Sequence, residues 1–280
     1  MIERHKNLYT SIIFGLLCVL AALFLVPIAL VFINSFKSRL YVSSAPFALP
    51  FGEMGVGLEN YINGLTASGF LLSFCRSVFI SVAGVLLIIV CTSMTAWYIV
   101  RVKGKLTQGL YYLFVFSMIV PFQMVMYTMA FVVNRMHFDN VVGIVFVYLG
   151  FGAGLAVFMF TGFIKSVPLE IEEAASIDGC NPLQTFFIVV FPMLKSTAIT
   201  ISILNAMWIW NDYLLPYLVL GTQKKTVPVA IQLAMQGAYG ATDYGGFMAM
   251  LVLAIIPIII FYIASQKYII KGVIAGAVKG

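Results

Sequence analysis

Charge is scarce in this sequence. Lys and Arg (16) and Asp and Glu (10) make up 9% of 280 residues, whereas 62% are hydrophobic and the mean hydropathy is +1.05. A soluble domain carries about 25% charged residues, so the composition argues against a water-soluble globule and for an integral membrane protein. Histidine is scarcer still. His5 and His137 stand apart, with no H-E-x-x-H pair and no cysteine at metal-ligand spacing. The four cysteines, Cys18, Cys75, Cys91 and Cys180, are far apart and three lie in apolar runs, so neither a disulfide framework nor a zinc site is indicated. No G-x-x-x-x-G-K-[ST] phosphate loop occurs; the nearest string, Gly221 to Thr226, lacks the second glycine. No G-x-S-x-G elbow is present either. The chain reads as non-catalytic, without a metal or catalytic residue of its own. Any work it does draws on energy supplied elsewhere.

What is present is long apolar runs. A span needs about 20 apolar residues at 1.5 Å rise each. Runs over 8–33, 71–100, 110–133, 141–164, 197–220 and 247–270 meet this, predicting an all-α polytopic protein with six spans in one domain, 1–280. Pro121 interrupts the third run and Pro257 lies inside the sixth. Residues 34–69 and 221–246 are loops on one side, and 165–196 is a loop on the other. The pI of about 9.1 would suit nucleic acid, but the cations sit at segment ends and fit membrane orientation better. Ten of them (Arg4, Lys6, Arg101, Lys103, Lys105, Lys165, Lys195, Lys267, Lys271, Lys279) fall on the side of the 165–196 loop. Six (Lys37, Arg39, Arg76, Arg135, Lys224, Lys225) fall opposite. That bias places the loop and both termini in the cytoplasm.

The loop is the most punctuated stretch. Ser166 can cap a helix whose first turns hold Pro168 and Glu170, and Gly179 can end it with φ > 0. Asn181 and Pro182 then read as the cap and first residue of a second helix. Glu172, Glu173 and Asp178 bring three carboxylates within seven residues. Helical spacing puts Ile171, Ala174 and Ala175 on one close-packing face and leaves Glu172 and Glu173 to meet basic residues of a partner. The alternative is a helix resting on lipid, which three acids beside a negative leaflet make less attractive.

Ion coupling would need ionisable residues near the midplane. Asp212 is the only acid within a span, toward its outer end, and Arg76 lies near an outer end too. An ion-coupled secondary transporter is thereby weakened but stays open. Asn205, Trp208 and Asp212 recur on one helical face and, with Gln123, could line a translocation path; hydrogen bonding between helices is the competing use.

Glu173-Ala174-Ala175, Gly179 after three residues, and Val189 and Phe191-Pro192 after nine more resemble the EAA loop of ABC importer permeases. Val189 and Phe191 stand where that pattern has isoleucine and leucine. The strings FIKSVP (163–168), Asp178-Gly179, Trp210-Asn211-Asp212-Tyr213, Pro121-Phe122-Gln123, Glu59-Asn60-Tyr61 and the terminal GAVKG (276–280) resemble carbohydrate importer permeases of the maltose type, the shorter six-span member of the pair. The resemblance implies a type I importer permease fold in the inner membrane. It implies that Glu172, Glu173, Ala174, Ala175, Asp178, Gly179 and Pro182 dock in a cleft of a cytoplasmic ATPase dimer, and that Lys271 and Lys279 in the C-terminal tail contact the same partner. It also implies a homologous second permease and a sugar-binding protein outside, met by the 221–246 loop. No cofactor is bound directly; ATP and Mg would belong to the ATPase. The cargo would be a sugar or oligosaccharide, with a non-sugar solute as the alternative.

Overall fold

The computed structural model describes residues 2–67, 69–236 and 243–277, giving only the backbone course for 2–8, 67, 236 and 269–277. Among these residues all repeating structure is helical: α1 (Ile2–Asn34), α2 (Arg39–Ser44), α3 (Glu59–Ala67), α4 (Phe70–Arg101), α5 (Lys105–Ser117), α6 (Phe122–Arg135), α7 (Gly143–Ile164), α8 (Leu169–Ile177), α9 (Pro182–Gln184), α10 (Phe191–Met193), α11 (Lys195–Asn211), α12 (Leu214–Leu220), α13 (Val227–Gln236) and α14 (Tyr244–Ala277). A π-helical turn, Thr185–Val190, joins α9 to α10.

Four helices are long and apolar enough to cross a membrane, with spans at Tyr9–Asn34, Phe70–Arg101, Gly143–Ile164 and Tyr244–Tyr268. Counting each of two bent helix pairs as one span raises the number to six. The expected third span is not one straight helix. Pro121 lacks an N–H and disfavours helix in the residue before it, so α5 stops at Ser117 and α6 leaves at 108°. The expected fifth span is divided as well: α11 ends at Asn211 and Asp212 is extended, at φ −74° and ψ 121°, before α12. The 221–246 stretch contains α13, whose Val227, Val229 and Ala230 are buried; turn residues on either side obscure this short helix in the sequence.

The chain forms two compact units. The first, Met1–Leu71 with Ala230–Pro257, gathers around the turn after α1. There Lys37 is fully buried, its Nζ donating to the carbonyls of Ala45 (2.8 Å) and Pro46 (3.3 Å). Asn60 donates to the carbonyls of Ser35 and Lys37, so α3 is tied to the same turn. A stretch that reads as a polar loop is thus ordered by hydrogen bonds to its own backbone.

In the second unit, Leu72–Val229 with Ile258–Gly280, α7 is the central helix. Its Ile144, Tyr148, Ala156, Val157, Phe160 and Ile164 are fully buried. In lipid, apolar surface alone does not drive helices together, so close packing at small residues matters more. A Cβ on Gly152 would sit 2.6 Å from Ile88 Cδ1 and 2.8 Å from Asn205 Oδ1, and one on Gly154 would sit 2.8 Å from the Phe114 carbonyl of α5. These glycines let α4, α5 and α11 close on α7. Gly154→Val should therefore destabilise the fold by about 1–3 kcal/mol, the usual cost of overpacking, and lower the thermal midpoint in detergent. Gly162→Ala, where a Cβ meets nothing within 4 Å, should not.

Candidate functional site

The elbow between α7 and α11 begins without the expected cap. Ser166 Oγ donates back to the Phe163 carbonyl at 2.7 Å, and Pro168 occupies the N-cap of α8 with φ −59° and ψ 136°. Pro168 thus starts the helix by its fixed φ rather than by a hydrogen bond. The other end follows the sequence closely. Gly179 has φ +89°, and the Cys180 N–H reaches the Ala175 carbonyl while the Gly179 N–H reaches that of Ser176. This is a Schellman closure. Asn181 and Gln184 then form a capping box, with Gln184 N–H donating to Asn181 Oδ1 (3.0 Å) and Asn181 N–H to Gln184 Oε1 (2.9 Å); Pro182 is the first helical residue. From there Pro182–Met193 runs to a 77° bend into α11.

Glu172 is turned inward, not outward as expected. It is buried, and Arg101 at the end of α4 donates to its Oε1 from Nε (2.9 Å) and Nη2 (2.7 Å). Trp97, one turn earlier on α4, donates from Nε1 to Oε2 at 2.9 Å. Arg101 Nη2 also reaches the Val167 carbonyl at 3.0 Å, just ahead of α8. Three charge-assisted bonds to Glu172 therefore strap the elbow helix to the last two turns of α4, and a fourth ties down the residue ahead of it. The expected packing face is corrected with it. Ala175 is buried one turn from Glu172, but Ile171 and Ala174 are exposed, because the carboxylate rather than the small residues turned inward. Trp97 and Arg101, four residues apart and both donors, are the sequence signal for this strap. It is a weak one, since their acceptor lies 71 residues beyond Arg101.

The outward face of α8 carries Glu170, Glu173, Ala174 and Ile177, with Asp178 at its C-cap, all exposed and Ile177 at 87%. Beside it lies a groove of about 560 Å³ lined by Trp97, Leu169, Glu173, Ile177, Cys180 and Thr185. Exposed Leu169 and Ile177 are here rimmed by the carboxylates of Glu170, Glu173 and Asp178.

The residues read as a path differ in their surroundings. Asn205 is buried, donating to the Ile201 carbonyl of its own helix (3.0 Å) beside Gly152. Asp212 has left the α11 stripe. Its Oδ2 accepts from the Tyr148 hydroxyl (3.1 Å) and its Oδ1 from Leu215 N–H (3.3 Å), capping α12. Trp208 is 39% exposed with its ring edge-to-face on Tyr148, and Gln123 is exposed in the first turn of α6. Trp208 and Asp212 thus meet at Tyr148, and Asn205 lies one turn along α7 at Gly152. Lys271 lies on α14 where only the backbone is described, and Lys279 lies outside the described residues.

Residues 84–275 match the family described as binding-protein-dependent transport system inner membrane component. The chain is 36% identical over 280 residues, all of it and all of the relative, to the probable starch degradation products transport system permease protein AmyC of Thermoanaerobacterium thermosulfurigenes. It is 35% identical over 269 residues (94% of this chain, 95% of the relative) to the multiple sugar-binding transport system permease protein MsmG of Streptococcus mutans. In fold it is similar, at TM-score 0.79 and 22% identity, to a chain from the crystal structure of a bacterial ABC transporter involved in the import of the acidic polysaccharide alginate, covering 95% of this chain and 98% of that one.

Breaking the strap from either side should loosen α8. Glu172→Ala or Arg101→Ala leaves an unpaired, largely buried charge, a loss on the order of 3 kcal/mol. Amide hydrogen exchange over Leu169–Ile177 should rise in both variants and stay unchanged in Glu173→Ala.

Proposed function

Because this chain belongs to the family of binding-protein-dependent transport system inner membrane components, we propose that it is the permease subunit of an ATP-driven importer for a sugar or oligosaccharide, contributing half of the translocation pathway. The sugar reading rests on the relatives. Two are the starch-product and multiple-sugar permeases described above, and a third, 34% identical over 212 residues, is the melibiose/raffinose/stachyose import permease protein MelC of Bacillus subtilis. The chain supplies no hydrolysis. ATP and Mg are handled by a cytoplasmic ATPase dimer, a homologous second permease completes the path, and an extracytoplasmic binding protein delivers the cargo to the 221–246 side.

The observation that carries the coupling role is the division of labour between adjacent glutamates. Glu172 holds α8 to α4, and Glu173, one residue on, faces out beside the groove. A partner gripping Glu173, Ala174, Ile177 and Asp178 would move a helix already strapped to a span, so closure of the ATPase pair reaches the path mechanically. Gly179 and Pro182 set the angle at which the elbow meets that partner, and the tail with Lys271 and Lys279 adds a second contact. Among the path candidates, Gln123 and Trp208 have the freedom to meet a sugar, whereas Asn205 and Asp212 hold the walls.

Glu173→Lys should insert and fold as the native chain does, yet abolish ATP-driven uptake when reconstituted with its partners. Normal uptake by that variant would remove the coupling role. The topology is tested separately at Cys180, which is partly exposed at the elbow: a membrane-impermeant thiol reagent should label it in inside-out vesicles and not in intact cells. Labelling in intact cells would invert the orientation.

A further inference from the structure

A second recess opens on the other side of the strap. It has a volume of about 520 Å³, and its wall includes Arg101, Lys103, Thr107, Tyr111, Thr161 and Lys165. No carboxylate lines it. Arg101 is neutralised by Glu172, but among the described residues neither Lys103 nor Lys165 is paired with an acid. Lys165 lies with its Nζ 5.6 Å from the centroid of the Tyr111 ring, which holds the ammonium at the wall.

The recess is also where α5 starts. Gly104 is its N-cap, without a side-chain hydrogen bond and with no acid in the first turn, and Lys105 is its first residue. Thr107, which could have capped, turns its hydroxyl to the carbonyls of Val102 (2.8 Å) and Gly104 (2.9 Å). A helix start carries free N–H groups and partial positive charge. Placing Lys103 and Lys105 there adds like charge, and among the described residues neither is paired with an acid. Thr161, on α7, is an independent sign: it is 2% exposed, lines the recess, and its Oγ1 has no partner. A buried hydroxyl left unpaired is costly unless something else bonds it.

We propose that this recess binds a phosphate group, held by Lys103, Lys165, the first N–H groups of α5 and the Thr161 hydroxyl. A phosphate suits it because donors converge from three elements on a ligand with several acceptor oxygens. The headgroup of an acidic lipid is the source its position favours, since basic pockets between helix ends at a membrane surface take such headgroups. The proposal requires only the membrane setting and involves neither the ATPase nor the cargo.

The test uses the full chain in detergent, exposed to equal phosphatidylglycerol and phosphatidylcholine and read by native mass spectrometry. The native chain should retain phosphatidylglycerol preferentially. The double variant K103A/K165A should lose that retention roughly tenfold or more, as removing two lysines near an anionic headgroup requires. K103R/K165R and the opposite-end control K224A/K225A should keep it, with thermal midpoints confirming that all are folded. Equal retention of the two lipids by the native chain, or full retention by K103A/K165A, would overturn the proposal. Acetylation of Lys103 and Lys165 identifies the source. Protection by phosphatidylglycerol alone supports a lipid ligand, equal protection by inorganic phosphate in lipid-free detergent supports a soluble one, and protection by neither overturns the site.

Discussion

A carboxylate cannot be buried alone, and the geometry of the elbow follows from how Glu172 meets that constraint. Desolvating it costs several kcal/mol unless donors surround it. Arg101 and Trp97 provide them from one face of α4. With Glu172 turned inward, helical rotation puts Ala175 inward one turn later and Glu173 outward one residue later. The acid that a partner can reach is therefore selected by the acid that it cannot. The additional bond from Arg101 to the Val167 carbonyl fixes the approach to the same helix.

Around this strap the elbow is built from parts that resist deformation. A Schellman closure and a capping box follow in immediate succession, so the chain turns from α8 into Pro182–Met193 with little freedom. The π-helical turn that follows buries Phe186 and Val190 in the core shared with α7. In the proposed coupling, force applied to the Glu173 face passes through the strap into α4 and through this turn toward α11. Both routes end on the central helix, whose Gly152 and Gly154 admit close neighbours. Tyr148 continues the line, joining α7 to Asp212 at the break between α11 and α12.

Much of this was legible in the residues. The Asn181-Pro182 start, the Gly179 end and four of the spans depend on local backbone chemistry, which sequence reports directly. The family was legible because the spacing from Glu173 to Pro192 is long and specific. The inward turn of Glu172 was not, because two adjacent glutamates look alike until their donors, far away in the chain, are placed. The interruption at Pro121 was legible but not its 108° bend, and the break at Asp212 was hidden, because apolar composition continues through both and hydropathy does not register direction. Asn205 and Asp212 share a helical period in the sequence, but their bonds, one to its own helix and the other to Tyr148 and Leu215, depend on placement that the period does not give. The strap, in turn, gives the basic span end Arg101 to Lys105 a place in the fold: its first cation is structural, and the others border a helix start without a side-chain cap.

The central claim is that energy enters this chain through the elbow from a partner. The direct measurement is uptake of a labelled oligosaccharide into vesicles containing the chain, with and without the cognate ATPase, second permease and binding protein. Uptake is predicted only when the complete assembly hydrolyses ATP, with none from an imposed proton or sodium gradient. Oligosaccharide accumulation driven by such a gradient in vesicles lacking the ATPase would contradict the account.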